Sequence, residues 1–182
     1  MKKINMKTIL LAVALCLLPM IAGAVFYGRM PEQMAVHWDV NNVPNTYMHK
    51  AFALFGIPVA MALIQTALLS LFYGFYIKKA KNMPKVTRII IWCLPVINAI
   101  TYAIILMWGL GYTLRVSTLV LLPLGAIVIL LGNYLPKMSY EGNKDRIHPK
   151  PKDEKSFRKM LRITSIAFII MGIAFILLGI FW

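Results

Sequence analysis

No Asp, Glu, Lys or Arg lies deep inside any of the long apolar runs of this sequence, and all three histidines fall outside them. Intramembrane charge is the usual mark of an ion or proton pathway, so a proton-coupled transporter is disfavoured. Cysteine is scarce. Cys16 and Cys93 both sit in apolar runs, cannot readily staple an exposed loop, and read as small packing residues. Strand-length alternation of the outer-membrane-barrel kind is missing, and so is any repeat of solenoid length.

What is abundant is apolar residues, and they come in blocks. Of 182 residues 60% are hydrophobic, with a mean hydropathy of +0.72, against roughly 45–50% in a soluble domain. Uncharged runs cover residues 8–27, 51–77, 89–114, 116–136 and 163–182. Each is close to or above the roughly 20 residues a helix needs to cross about 30 Å of hydrocarbon. A bilayer core offers backbone groups no water, so the runs must be helices. The expected fold is all-α: a polytopic transmembrane helix bundle forming one integral membrane domain over residues 1–182. Its five spans fall at about 7–26, 51–77, 88–111, 118–135 and 161–181. A loop at 27–50 joins the first two, and basic loops occupy 78–87 and 136–160, with 136–155 read as mobile. Helices three and four, joined by a brief turn, are expected to be antiparallel neighbours.

The net charge of +14 belongs to this topology. Of the 20 basic residues, 17 precede the first span or lie between spans two and three or four and five; only Arg29, Lys50 and Arg115 fall on the other side. The positive-inside rule makes the crowded side cytoplasmic, which predicts an N-in/C-out chain in a bacterial cytoplasmic membrane. Anionic lipid headgroups are then partner enough for the basic loops, and no nucleic acid is implied. Ala22-Gly23-Ala24 resembles a signal-peptidase site, but the apolar stretch before it is longer than a typical h-region, about 7–15 residues, so a retained anchor is expected.

Within the spans, Pro19, Pro58, Pro95 and Pro123 are expected kinks. Small residues let helix backbones approach each other. Gly56 with Ala60 and Ser70 with Gly74 form pairs on helix two, and Ser165, Gly172 and Gly179 form a seam on helix five. Packing within the bundle is the plain reading, and a homo-oligomer contact the sharper one. Gln65, Thr66, Ser70, Asn98, Thr101 and Asn133 can hydrogen-bond between helices. Gln65, Asn98 and Asn133 are also the residues a small permease would use to line a polar path.

Unusual residues concentrate in 27–50. Trp38 and Tyr47 suit the headgroup level, and Asn41-Asn42 with Pro44-Asn45 suggest a turn. Glu32, His37, Asp39 and His49 carry metal-ligating atoms, but their spacing is no known ligand motif, and neither a metal nor a cofactor is expected. A nucleophile with a base and an orienting group is missing too, so no enzyme is expected. The pattern Met30-Pro31-x5-His37-Trp38-Asp39-x2-Asn42-x-Pro44-Asn45-x-Tyr47-x2-Lys50 between two spans resembles the amino-terminal module of the SdpI-type immunity-protein family. That module reads Leu-Pro-x5-His-Trp-Asn-x2-Gly-x-Pro-Asp-x-Tyr-x2-Lys, and Asn42 in place of Gly is a mild exchange because both tolerate positive φ. Gly132-Asn133-Tyr134-Leu135-Pro136-Lys137 resembles a stretch of the carboxy-terminal SdpI module, after which the two sequences part.

The resemblance implies a membrane protein that protects cells against a toxic peptide, in some cases with a signalling role. Under it, His37, Trp38, Asp39, Asn42, Pro44, Tyr47 and Lys50 form a ligand-binding outer loop. Asn133 and Lys137 of the second match, with the intramembrane Asn98 read from the spans themselves, are the accessory polar residues, and a toxic peptide or another membrane protein is the expected partner. A permease or permease-associated subunit and an envelope-stabilising scaffold are the alternatives.

Overall fold

The computed structural model describes residues 6–72, 85–141, 143 and 150–181. The expectations for Gly74, most of loop 78–87 and the stretch around His148 lie outside the described residues. Among the described residues, five helical stretches are long and apolar enough to cross a membrane: Met6–Arg29, Phe52–Leu71, Ile89–Gly109, Val116–Lys137 and Glu154–Phe181. The chain is a multi-pass membrane-helix bundle, as its hydropathy blocks require.

The first span is two helices, α1 (Met6–Leu17) and α2 (Met20–Phe26), interrupted at the expected Pro19. A short 3-10 turn, Tyr27–Arg29, ends it. The second span starts with a widened π turn at Phe52–Gly56 and continues as α3 (Ile57–Phe72). Pro58 has no N–H to return to Leu54, and the ladder just before it runs five residues back instead, Ile57 N–H donating to the Phe52 carbonyl. Then come α4 (Lys85–Gly109), α5 (Val116–Tyr134) and α6 (Glu154–Phe181).

Two helix groups make the bundle. In one, α1, α3 and α4 pack together, with Ala12, Leu69 and Ile91 meeting near one end. In the other, α5 and α6 form a close antiparallel pair that joins the rest through α4. The expected seam on α6 is the reason they approach so closely. A Cβ on Gly172 would lie 2.7 Å from the Gly125 carbonyl oxygen, and one on Gly132 would lie 3.0 Å from that of Ser165. Gly125 and Gly132 are thus the α5 half of a seam internal to the bundle. On α3, by contrast, Ala60 and Ser70 are exposed.

One buried amide answers to a proline. Pro95 cannot donate to the carbonyl of Ile91 one turn earlier, and the Gln65 side chain of α3 supplies the missing donor, Nε2 to Ile91 O at 2.9 Å. Asn98 donates Nδ2 to the Cys16 carbonyl at 2.9 Å, beside the interruption at Pro19. Asn133 is exposed on α5 and joins neither. These three residues do not line one path.

Two expectations need correction. Residues 27–50 are not simply a loop: they contain an antiparallel hairpin, β1 (Gln33–Trp38) and β2 (Pro44–His49). Nor is the described part of 136–155 a free loop. After a 3-10 turn at Leu135–Lys137, Tyr140 packs edge-on against Phe157 with ring centroids 5.5 Å apart, and Phe157 is fully buried. Asn143, also buried, closes this turn by donating to the Ser139 carbonyl at 2.8 Å. Asp153 then starts α6 by accepting from Ser156 N–H at 2.7 Å. Hydrogen bonds from the Ser156 hydroxyl and then from its backbone N–H hold the Asp153 carboxyl below its usual range, with the cations of Lys155 and Lys152 adding to the effect.

Candidate functional site at the hairpin end

The hairpin is built by its own side chains. Asp39 Oδ1 accepts from the backbone N–H groups of Asn41 and Val43, each at 2.9 Å, and Asn42 takes φ 62°. Asp is suited to such a turn because its short carboxylate reaches N–H groups just ahead of it. Across the strands, His37 Nδ1 meets Asn45 Oδ1 at 2.6 Å. At the open end, Glu32 takes Lys50 Nζ at 2.7 Å and His49 Nε2 at 3.3 Å. The hydrogen bond from Lys50 and its charge hold the Glu32 carboxyl below the usual range, and the same bond raises Lys50. The Lys50 stem is mostly covered, and its ammonium lies 4.8 Å from the Tyr27 ring centroid.

Pairing runs from Gln33 opposite His49 to Trp38 opposite Pro44, with irregularities on either side of His37. Such bulges re-aim side chains. Met34 and Ala35 are buried, His37 is exposed, and Trp38 is half-buried. Trp38 packs edge-on against Trp108 of α4, centroids 5.5 Å apart at 68°. Met30 and Met34 crowd Gly109, where a Cβ would come within 2.8 Å of either side chain, and they join Leu54, Tyr102 and Ile105 in one apolar cluster.

Asn42 does more than turn the chain. Its Oδ1 accepts from Ser117 N–H at 2.7 Å, satisfying one of the four donors that the start of α5 leaves open. Arg115 at the cap position makes no such side-chain bond. Asn42→Gly therefore keeps the backbone but should lose about 0.5–2 kcal/mol with the cap. Asn42→Ala should lose more, because a Cβ-bearing residue without a local hydrogen bond is strained at positive φ. Thermal unfolding in detergent gives the order, and hydrogen exchange at Ser117 should accelerate in both variants. Unchanged exchange there would remove Asn42 from the cap.

Docking the hairpin leaves a cleft of about 510 Å³ beneath β1. Val36, His37, Trp38, Asp39 and Val40 line one side, and residues of α4, α5 and α6 the other, among them Thr101, Ile104, Ser117, Val120 and Leu178. The walls are mostly aliphatic. Two buried polar atoms of lining residues, Trp38 Nε1 and Ser117 Oγ, have no hydrogen-bond partner. Such atoms are costly unless something pairs them. Of the motif residues, His37, Trp38 and Asp39 line the cleft. Asn42 borders it through Ser117, while Tyr47 is exposed and Lys50 holds the far end. Pro44 lies opposite Trp38 at the start of β2. Asn98 is buried among α1 and α4, and Lys137, over the Tyr134 ring at 4.2 Å, marks the opposite end of the bundle. Trp108, Thr101 and Ser117 were not legible as site residues. Only the position of Trp108 and Ser117 near the helix ends that flank 110–115 could have drawn attention to them.

No curated protein and no solved structure matches this chain. Residues 14–62, from the last turn of α1 through the Pro19 interruption and the hairpin to the first turns of α3, match the model of DUF1648, a domain of unknown function.

Proposed function

We propose that this is a non-enzymatic membrane protein of the immunity or resistance class, amino terminus inside, whose hairpin end recognises a membrane-active peptide or an envelope component. The observation that carries this reading is the cleft under β1, lined by His37, Trp38 and Asp39 of the sequence motif. Its aliphatic walls suit the apolar face of such a ligand, and the unpaired Trp38 indole N–H suits an acceptor on it. The resemblance to the SdpI type adds support, since the domain matched at 14–62 also occurs in SdpI-like membrane proteins. The charge asymmetry supports the orientation. The permease reading is weaker, because Gln65 and Asn98 each bond a backbone carbonyl of a different helix and Asn133 is exposed elsewhere on α5, so the three do not share one path.

Cells lacking the gene, challenged with a panel of membrane-active peptides, should become more sensitive to at least one. Val120→Trp, which fills the cleft from α5, should reproduce that sensitivity at an unchanged protein level. Sensitivity equal to the parent strain across the panel would sink the reading. Full protection by Val120→Trp would remove the cleft from it.

A further inference from the structure

The opposite end of the bundle carries a second surface that the proposed function does not use. On one exposed face of α6, Lys155, Arg158, Lys159 and Arg162 border a groove of about 710 Å³ that runs on to Ile163 and Ile166. Spacings of three and four residues put these side chains on a common stripe. Among the described residues that line it, Glu154 is the single carboxylate, and Arg158 engages it through both Nε at 2.9 Å and a terminal nitrogen at 2.5 Å. Among the described residues Lys159 and Arg162 make no salt bridge, and Lys155 meets the neighbouring Asp153 carboxylate through its charge alone. Like charges four apart on a helix repel, so the stripe favours an added anion. Below it the same face turns aliphatic: Ile163, Ile166 and Ile170 are each about three-fifths exposed. The other face of α6 is taken, with Phe157, Leu161, Ser165 and Gly172 buried inside the bundle.

We propose that this face of α6 binds an anionic phospholipid, its phosphate between Lys155, Lys159 and Arg162 and an acyl chain along Ile163 and Ile166. A positive head site joined to an apolar strip matches such a lipid in charge and in shape. A soluble anion would gain nothing from the isoleucines, and a zwitterionic lipid would gain little from three cations. Arg is suited to the phosphate because its planar fork holds two oxygens at once.

The test uses the full-length protein in detergent, titrated with phosphatidylglycerol or phosphatidylcholine and read by native mass spectrometry. Phosphatidylglycerol should be retained roughly a hundredfold better at low salt, given the usual gain for each basic residue at an anionic membrane surface. The triple variant Lys155→Gln, Lys159→Gln, Arg162→Gln should lose that preference. All three side chains are exposed, and circular dichroism checks that the variant is folded. Lys137→Gln removes a charge at the same end but outside the groove and should keep the preference. Should the triple variant misfold, Lys159→Gln alone should weaken the preference several-fold. Ile166→Ser should weaken retention of phosphatidylglycerol while leaving the binding of inorganic phosphate unaltered. Equal retention of both lipids, an unchanged triple variant, or displacement of the lipid by millimolar inorganic phosphate would each overturn the proposal.

Discussion

Gly172→Leu should leave α5 and α6 unable to close and give little folded protein. A Cβ at this position would lie 2.6 Å from Ile129 Cγ1, 2.7 Å from the Gly125 carbonyl oxygen and 3.0 Å from Ile129 N. Two of those three atoms are backbone and cannot rotate away. Adding atoms to a packed interior usually costs about 1–3 kcal/mol. Gly172→Ala should fall in that range and Gly172→Leu beyond it, because the larger side chain must push the whole helix off. No hydrophobic gain offsets the separation, since lipid is as apolar as the helix surface it would cover. Gly28→Ala is the control: nothing lies within 4 Å of a Cβ there. The readouts are midpoint temperature in detergent and the monodisperse fraction on size exclusion. A Gly172→Leu variant that melts with the wild type would show that the α5–α6 contact contributes nothing to stability.

Gln65→Leu should be strongly destabilising in the wild-type background and nearly harmless beside Pro95→Ala. In the native chain the Ile91 carbonyl lacks its usual helical donor because residue 95 is proline, and Gln65 Nε2 stands in at 2.9 Å. Leu at 65 leaves that carbonyl unpaired in a site where Gln65 is 1% exposed. A buried unsatisfied group costs about 1–3 kcal/mol. Alanine at 95 restores the backbone N–H and with it the i−4 bond, so the double variant should recover most of the loss. A double-mutant cycle measured by thermal unfolding gives the coupling directly. Simple additivity of the two changes would exclude this exchange of donors.

Five spans were legible in the sequence because a bilayer leaves an apolar run of about 20 residues only one way to satisfy its backbone. Four prolines were legible as kinks: Pro19 does divide the first span and Pro58 follows the π turn, whereas Pro95 and Pro123 lie inside continuous helices. The small residues of α6 were legible as a seam, though their partners Gly125 and Gly132 were not, since the closeness of approach depends on how α5 is rotated. The hairpin was missed. Its strands are six residues each, with a bulge that breaks the alternation by which a strand is recognised. The positive φ at Asn42 followed from its residue type, whereas its cap on α5 joins residues 75 apart.

The candidate site divides in the same way. Its motif residues stood out as a cluster of histidine, tryptophan, asparagine and proline between two spans, which was enough to nominate the segment and too little to separate its parts. Asp39, Asn42 and Lys50 hold the hairpin's shape and His37 also bonds across it, while Trp38 anchors it to α4. The cleft exists only because β1, α4, α5 and α6 meet. By itself, the sequence determined the membrane class, the number of spans and the segment that would be unusual, since these depend on local hydropathy and residue chemistry. Only the tertiary structure decided which polar group answers a proline, which glycines touch, and what space is left under the hairpin. Those depend on distances between residues far apart in the chain, which no local pattern encodes.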